Sequence, residues 1–195
     1  MKTETQYPVW LLPIEHGQWL AVGKSELKHI ESISNAIRIP TAPRYCDHAM
    51  MWHERLLPLF DITLFIEEIE CAGDSEQGSL VRQEQTAPLE RIAPEEKTVL
   101  IAIIAYREGV DDTEMMYGGI RINDTPKLVN VSQSQAKSAQ DLSESRQYLS
   151  HGALAISSSS EILTPILDVA SIFSKSAVDL VGSRPDSGNR DSVAE

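Results

Sequence analysis

The chain has few of the residues that stabilise small secreted domains or bind nucleic acid. Its two cysteines, Cys46 and Cys71, lie in dissimilar surroundings, which argues against a disulfide framework. Seventeen basic side chains against twenty-nine acidic ones give a net charge of −12 and form no basic run, so a nucleic-acid partner is disfavoured. The apolar run from Val9 to Ile14 is too short for a signal sequence or a membrane span. We therefore expect a cytoplasmic protein with a hydrophobic core and no direct membrane insertion.

Motifs of catalysis and of cofactor binding are also missing. The sequence contains no GxSxG elbow, no GxxxxGK[ST] phosphate loop and no GxGxxG turn. Its five histidines include no pair four residues apart on a predicted helix, and His48 and His53 would point to opposite faces of a strand. We expect no catalytic residue, no cofactor and no metal site. The alternative is a small β-barrel metal-dependent hydrolase that uses His48, His53 and Asp61.

Two further groups of side chains carry expectations of their own. Cys46 precedes Asp47 and His48, but sequence neighbours in an extended turn rarely act as base and nucleophile, so a half-buried thiol is expected. The pairs Met50-Met51 and Met115-Met116 would each place one side chain inward and one outward on a strand. The outward methionines could join an adaptable apolar interface.

Short apolar segments bounded by Gly, Pro, Asn or Asp predict a mainly β fold, a barrel or a sandwich. Such segments recur along most of the chain, and a doubly wound α/β fold is disfavoured. The predicted strands are Val9 to Ile14, Trp19 to Val22, Ala49 to His53, Leu56 to Asp61, Val99 to Tyr106, Met115 to Ile122, Lys127 to Val131, Ala153 to Ser157 and Ile162 to Leu167.

Few helices are expected. Ser25 to Glu31 begins with an N-cap serine and carries apolar residues three apart, which predicts one or two helical turns. Ile62 to Ile69 predicts a short helix that ends near Gly73. Ser134 to Leu149 is polar and predicts a weak helix or an ordered loop anchored by Leu142 and Leu149.

Three polar segments are predicted to lack regular structure. Residues 73–97 mix Gly, Ser, Gln and Pro with many glutamates, which is typical of a long acidic connection between two halves. Residues 175–195 predict a disordered tail. The serine run 157–160 predicts a turn between two strands.

The two halves of the chain resemble each other in one respect. MMWHERLLPLFDI and GALAISSSSEILTPILDV both place a proline in an apolar strand that ends in aspartate. Because proline cannot donate a ladder hydrogen bond, Pro58 and Pro165 are expected at an edge strand or a bulge. The echo predicts two similar barrels.

The sequence resembles the CheW-like domain family. IRIPTAP, an apolar strand and LLPLFDI are similar to that family's R-I-P-x-A-P followed by G-x-x-N-x-R-G-x-x-x-P-V-x-D-L. The segments VWLLPIEHGQWLAV, KTVLIAIIAYREG, YLSHGALAI and EILTPILDVASIF also follow in the family's order, so the resemblance covers about Tyr7 to Phe173. The first of these is also similar to accessory CheW-type proteins of pilus-associated chemosensory systems.

The resemblance implies a fold and a role. The fold would be two intertwined, SH3-like, five-stranded β-barrels in one domain spanning residues 7–174, with a few short helices. The role would be that of a non-enzymatic adaptor in bacterial chemotaxis and two-component signalling. Such adaptors couple the cytoplasmic tip of a chemoreceptor to the regulatory domain of a CheA-type histidine kinase, without a cofactor.

Departures from the family pattern fall at its contact residues. His53 and Glu54 stand where the family has arginine and glycine, and His29 stands where it has an acid. If that acid and arginine normally meet, the two histidines would face each other and repel when charged. Glu54 would also disfavour a positive φ, so the connection before Pro58 should be made differently. The predicted protein-interface residues are His29, Arg38, Met51, Trp52, His53 and Arg55.

Overall fold

The computed structural model describes residues 5–73, 98–107, 113–156 and 163–174. The predicted acidic connection beyond residue 73, the serine turn at 157–160 and the predicted tail from 175 lie outside the described residues. Among the described residues, none of the helices is long and apolar enough to cross a membrane.

Twelve strands and three helices make up the described chain. The helices are α1 (Ile62–Gly73), α2 (Glu144–Gln147) and α3 (Val169–Ser174). The strands are β1 (Gln6–Pro13), β2 (Trp19–Gly23), β3 (Leu27–Ile33), β4 (Ile37–Arg38), β5 (His48–Trp52), β6 (Arg55–Phe60), β7 (Val99–Tyr106), β8 (Met116–Ile122), β9 (Lys127–Ser132), β10 (Ala136–Lys137), β11 (Ser150–Leu154) and β12 (Thr164–Leu167).

The strands form two sheets that exchange hairpins between the two halves of the chain. Sheet A has the order β10-β11-β12-β2-β1-β9, and sheet B has the order β4-β5-β6-β8-β7-β3. The first half therefore places β1 and β2 in sheet A and β3 to β6 in sheet B, while the second half places β7 and β8 in sheet B and β9 to β12 in sheet A. Each sheet is completed only by strands from both halves.

One parallel pairing in each sheet joins the two halves of the chain. In sheet B, β6 runs parallel to β8, with Leu59 opposite Gly119 and Phe60 opposite Ile120. In sheet A, β12 runs parallel to β2, and Ile166 lies opposite Ala21. All other strand pairs are antiparallel within the described residues.

The expectation that Pro58 and Pro165 lie at an edge or bulge is wrong. β6 and β12 are both internal strands, with a neighbour on each side. Each proline instead lies one residue before the parallel pairing begins, at Leu59 in β6 and at Ile166 in β12. A residue without an N–H is tolerated there because no parallel pairing is formed at that position.

Three hydrophobic clusters fill the molecule. A shared core between the sheets takes buried side chains from both, including Leu12 and Leu20 of sheet A and Ile104 and Ile120 of sheet B. Smaller clusters lie on the other face of each sheet. The cluster of sheet B contains Met50, Leu57, Leu59, Ile101 and Ile103, and that of sheet A contains Leu11, Ala21, Val131 and Leu154.

The two strands with similar sequences, β6 and β12, both lead into a helix capped by aspartate. Asp61 accepts hydrogen bonds from the backbone N–H of Thr63 at 3.1 Å and of Leu64 at 3.2 Å, and Asp168 accepts one from Ser171 at 3.0 Å. Such caps satisfy N–H groups that have no partner inside the helix. The structure thus places α1 and α3 at equivalent points of the two halves.

Arg121 connects the two sheets through its guanidinium group. It lies 3.0 Å from Asp61, which caps α1 of the sheet B side, and 3.5 Å from Glu15 in the β1–β2 connection of sheet A. The backbone N–H of Asn123 also donates to Pro13 at 3.0 Å. Polar contacts therefore supplement the shared core at this end of the molecule.

The predicted helix from Ser25 to Glu31 is wrong, because most of this segment is strand β3. The pairing of β3 with β7 shifts register between Leu27 and His29. This bulge places Leu27 opposite Ile104 and Ile30 opposite Ala102, so both apolar side chains pack against the shared core. A bulge therefore produces the three-residue apolar spacing that otherwise indicates a helix.

The other predicted elements lie close to their observed positions. All nine predicted strands correspond to observed strands, and the helix predicted from Ile62 extends to Gly73. Each sheet has six strands rather than the five that the resemblance implies, and the strands that the sequence did not predict are β3 and the two-residue strands β4 and β10. Residues 134–149 form the ordered loop, which contains 3₁₀ turns and the four-residue α2 and buries Leu142 and Leu149.

The close approach of β6 and β8 gives a test of the interlocked fold. A Cβ added to Gly119 would lie 2.6 Å from Leu59 Cδ2 and 2.7 Å from Ile101 Cγ2. We expect Gly119→Ala to lower the free energy of unfolding by about 1–3 kcal/mol in urea denaturation. In the double variant with Leu59→Ala, the loss of unfolding free energy should be smaller than the sum of the two single losses, because the smaller side chain leaves room for the new methyl group. Strictly additive costs would contradict the described packing.

Candidate protein-interaction surface

Four exposed apolar side chains lie on one face of sheet B. They are Ile37 of β4, Met51 of β5, Leu56 of β6 and Met116 of β8, with exposed fractions of 53, 58, 57 and 38%. The strand register places them together, since Met51 pairs with Leu56 and Ile37 pairs with Ala49, two residues before Met51. We call these four residues the apolar ledge.

The apolar ledge is a continuation of the shared core to the surface. Leu56 lies on the same face of β6 as Phe60, which is buried in the shared core. Met116 pairs with Tyr106, whose ring stacks on Phe173 at 4.9 Å. The residues next to the ledge on the opposite face, Met50 and Leu57, are buried. The expectation that one methionine of the pair Met50-Met51 points inward and the other outward is therefore confirmed.

A stack of aromatic and basic side chains holds the end of the β5–β6 hairpin. The Trp52 ring is half-buried and lies 5.3 Å from the Tyr117 ring and 4.4 Å from the His53 ring, edge-on to the latter. The Arg55 guanidinium lies 6.0 Å from the Tyr117 ring centre, at the outer limit of a cation–π contact. Three predicted interface residues, Trp52, His53 and Arg55, are thus close together at the end of the hairpin, but Trp52 and Arg55 lie on the face of sheet B opposite to the ledge.

The expectation that Glu54 forbids a positive φ is wrong. His53 and Glu54 have φ angles of 46° and 63°, and Trp52 pairs with Arg55 across this two-residue loop. Positive φ at both positions is typical of a type I′ turn, which suits the twist of a hairpin but normally uses Asn and Gly. The pairing on either side of the loop holds both residues in the left-handed region despite their side chains.

The other two predicted interface residues do not share this surface equally. Arg38 lies on β4 beside the ledge residue Ile37, is exposed, and is 3.7 Å from Asp47. His29 lies on β3 at the opposite edge of sheet B, where its Nε2 is 3.2 Å from Glu31. The hypothesis that His29 faces His53 is therefore wrong, since β7, β8 and β6 lie between their strands.

The structure does not bring all three residues of the hydrolase alternative together, since His48 and Asp61 line one cavity and His53 does not. His48 begins β5 and bonds Asp47 at 2.6 Å, whereas His53 follows the end of the same strand, about 15 Å further along at strand rise. Asp61 caps α1 and binds Arg121. In the described part of the chain, no three His, Cys, Asp or Glu residues are placed to hold a metal ion.

Cys46 is a poor nucleophile. Burial and the neighbouring Asp47 carboxylate raise the pKa of its thiol to about 11, so it stays protonated at neutral pH. Its neighbour His48 is bonded to Asp47 instead. The predicted half-buried thiol is confirmed.

Sequence reasoning missed three of the four ledge residues. Leu56 lies in a run of apolar residues, LLPLF, where no alternation separates the inward from the outward side chains. Ile37 lies in a strand of two residues, too short to show a pattern. The sequence indicates that one methionine of the pair Met115-Met116 faces outward, but only the register of β8 identifies Met116 as the exposed one.

The fold is similar to that of a solved scaffolding protein. The crystal structure of the scaffolding protein TtCheW from Thermoanaerobacter tengcongensis aligns with a TM-score of 0.58, covering 88% of this chain and 94% of that chain at 9% sequence identity. No protein-family model and no curated protein matches the sequence. The likeness confirms the predicted fold class, which is mainly β with two SH3-like barrels and a few short helices.

Replacing Glu54, whose backbone is left-handed, with glycine gives a direct test of the turn between β5 and β6. We expect Glu54→Gly to raise the free energy of unfolding by about 1 kcal/mol, because glycine adopts positive φ without a Cβ clash. Urea denaturation measures the change. Ser25→Gly in the exposed β2–β3 turn, where φ is not positive, is the matched control and should give no gain. A stabilisation of equal size in both variants would contradict the turn geometry.

Proposed function

We propose that the protein is a non-enzymatic adaptor in bacterial chemosensory signal transduction. The observation that carries the proposal is the apolar ledge, an exposed apolar surface on a fold similar to that of a scaffolding protein. Contiguous exposed apolar side chains on a soluble protein mark a surface that a partner covers. The proposal places the protein in the cytoplasm, between the cytoplasmic tip of a chemoreceptor and the regulatory domain of a CheA-type histidine kinase.

The chemistry of the apolar ledge suits a protein partner rather than a small substrate. Met51 and Met116 are unbranched and polarisable, so they adapt to an apolar surface that approaches them. All four ledge side chains are apolar and exposed, so the ledge itself carries no group that could act on a substrate. An amphipathic element of a partner could cover it with one apolar face.

Polar residues at the rim of the apolar ledge would set the choice of partner. His53 lies in the turn at one end of the ledge, whereas Arg55 and Arg38 alternate with Leu56 and Ile37 and so point to the other face of sheet B at its border. All three are exposed. Rim charges fix register and reject partners of the wrong charge more than they add affinity. Because His53 replaces the arginine that CheW-like sequences carry, we propose that this adaptor recognises an altered partner. The similarity of its first hairpin suggests a pilus-associated system.

His29 lies apart from the other predicted interface residues. It lies on the far edge of sheet B and is engaged with Glu31, so it would belong to a second contact rather than to the ledge. An adaptor needs two such contacts, one for each of the proteins it couples. We propose that β3 contributes to the second.

The experiment is a binding measurement with the cytoplasmic receptor tip and the CheA-type regulatory domain of the same organism. We expect at least one of them to bind the full chain in isothermal titration calorimetry. Leu56→Asp should weaken the ledge-dependent binding by roughly tenfold or more, since it places a charge at the centre of an apolar contact. Leu56 is exposed, so the variant should remain folded.

The matched control is Leu128→Asp in β9 of sheet A. Leu128 is also exposed, with an exposed fraction of 48%, but it lies outside the ledge. This variant should bind like the unaltered chain. Binding of neither partner, or equal weakening by both substitutions, would contradict the proposal.

A further inference from the structure

A groove runs along α1, at the end of β6 opposite to the apolar ledge. Its deeper part has a volume of about 400 Å³ and an apolar floor that includes Ile33, Leu59, Phe60 and Ile101. A shallower part of about 190 Å³ is lined by Glu67, Glu68 and Cys71. Both parts are lined by Arg44 and Leu64, so they form one continuous depression, which we call the α1 groove.

Most charges at the deeper part of the α1 groove are already paired. Asp47 bonds His48 and is 3.7 Å from Arg38, and Asp61 accepts a hydrogen bond from Arg121 at 3.0 Å. Arg44 differs from these residues. It is exposed, and among the described residues it has no ion-pair partner.

The shallower part of the α1 groove carries the opposite charge. Glu67 and Glu68 lie one turn beyond Leu64 on the same face of α1, and neither forms an ion pair within the part of the chain that the structure describes. From its deep end outward, the groove therefore presents an apolar pocket, then one unpaired cation, and then two unpaired anions.

The shape of the α1 groove favours an elongated occupant. The α1 residues that line the groove run from Leu64 to Cys71, seven steps of the helix or about 10 Å along its axis. The deep part alone is within the size of pockets that enclose small ligands, but it opens sideways along the helix. An extended segment can fill the pocket and reach both charged regions at once, whereas a compact molecule cannot.

We infer that the α1 groove binds an extended segment of a partner protein. The segment places a bulky apolar side chain in the pocket, a carboxylate beside Arg44 and a basic side chain beside Glu67 and Glu68. Charge complementarity selects this order, because the reversed order would bring like charges together at both positions. The inference concerns a surface separate from the apolar ledge, and it stands or fails independently of the proposed function.

The probe is a random twelve-residue peptide library displayed on phage and selected on the full chain. We expect enriched peptides with a large apolar residue followed by an acid and then a base. A fluorescein-labelled synthetic peptide of this kind is then measured by fluorescence anisotropy against three variants. Arg44→Glu should weaken its binding by roughly tenfold, and should strengthen binding of the same peptide with acid and base exchanged.

The other two variants test the pocket. Ala36 lines the deep part and is exposed, so Ala36→Trp should fill the pocket and abolish binding. Ala136→Trp, at an exposed position of β10 in sheet A, is the matched control and should leave the Kd unchanged. Circular dichroism checks that each variant is folded. Should Ala36→Trp unfold, Arg44→Glu decides alone, because Arg44 has no described ion pair to lose.

Two results would overturn the inference. One is a selection that yields no peptide sensitive to Ala36→Trp or to Arg44→Glu. The other is a peptide whose acid and base can be exchanged without a change in Kd. Because neither measurement uses a receptor or a kinase, failure here leaves the adaptor proposal intact, and failure of the adaptor proposal leaves this surface intact.

Discussion

Burial of apolar side chains between the two sheets is the interaction on which the rest of the molecule depends. Sheets A and B each bury a small cluster on one face, but the shared core takes the larger set of side chains, from strands of both halves and from α1 and α3. A fully buried Leu or Ile contributes about 1.5–3 kcal/mol of transfer free energy, so this core supplies most of the drive to fold. Neither sheet can form from one half of the chain, because β1-β2 and β7-β8 are exchanged.

This interlocked frame fixes the two candidate surfaces relative to each other. β6 carries the ledge residue Leu56 near its start and the groove residues Leu59 and Phe60 at its end. An internal strand paired on both sides is among the most rigid elements of a fold, and six residues extend about 20 Å. If the two proposals hold, the ledge and the α1 groove lie on one rigid strand and would keep their partners at a fixed spacing.

The sequence was informative where local pattern and tertiary structure agree. Nine strands could be predicted because short apolar runs end at Gly, Pro, Asn or Asp. The similarity between LLPLFDI and ILTPILDV indicates two equivalent strands, and only the structure shows that each leads into a helix capped by its aspartate. β3 was misread because a bulge gives Leu27 and Ile30 the spacing of a helix. The turn at His53 and Glu54 was misjudged because the pairing of the flanking strands overrides the backbone preference of single residues.

The candidate surfaces were harder to predict than the fold. Met51, Trp52, His53 and Arg55 can be placed together from the sequence because they belong to one hairpin, and their role in an interface stays a prediction. The ledge also needs Met116, which reaches it only through the parallel pairing of β6 and β8 across sixty residues of chain. The α1 groove combines residues from β3, β6, β7 and α1, and no local pattern connects them. Surfaces built by long-range pairing are visible only once the register is known.

The most direct test of the interlocked frame is native-state hydrogen exchange of two internal strands, β1 in sheet A and β7 in sheet B. If both sheets depend on the shared core, their most protected amides exchange only through global unfolding, with opening free energies that agree within about 1 kcal/mol and equal the free energy from urea denaturation. Protected amides in one sheet that exchange through an opening several kcal/mol below that of the other would mean that each sheet unfolds by itself, which would contradict the shared core as the basis of the fold.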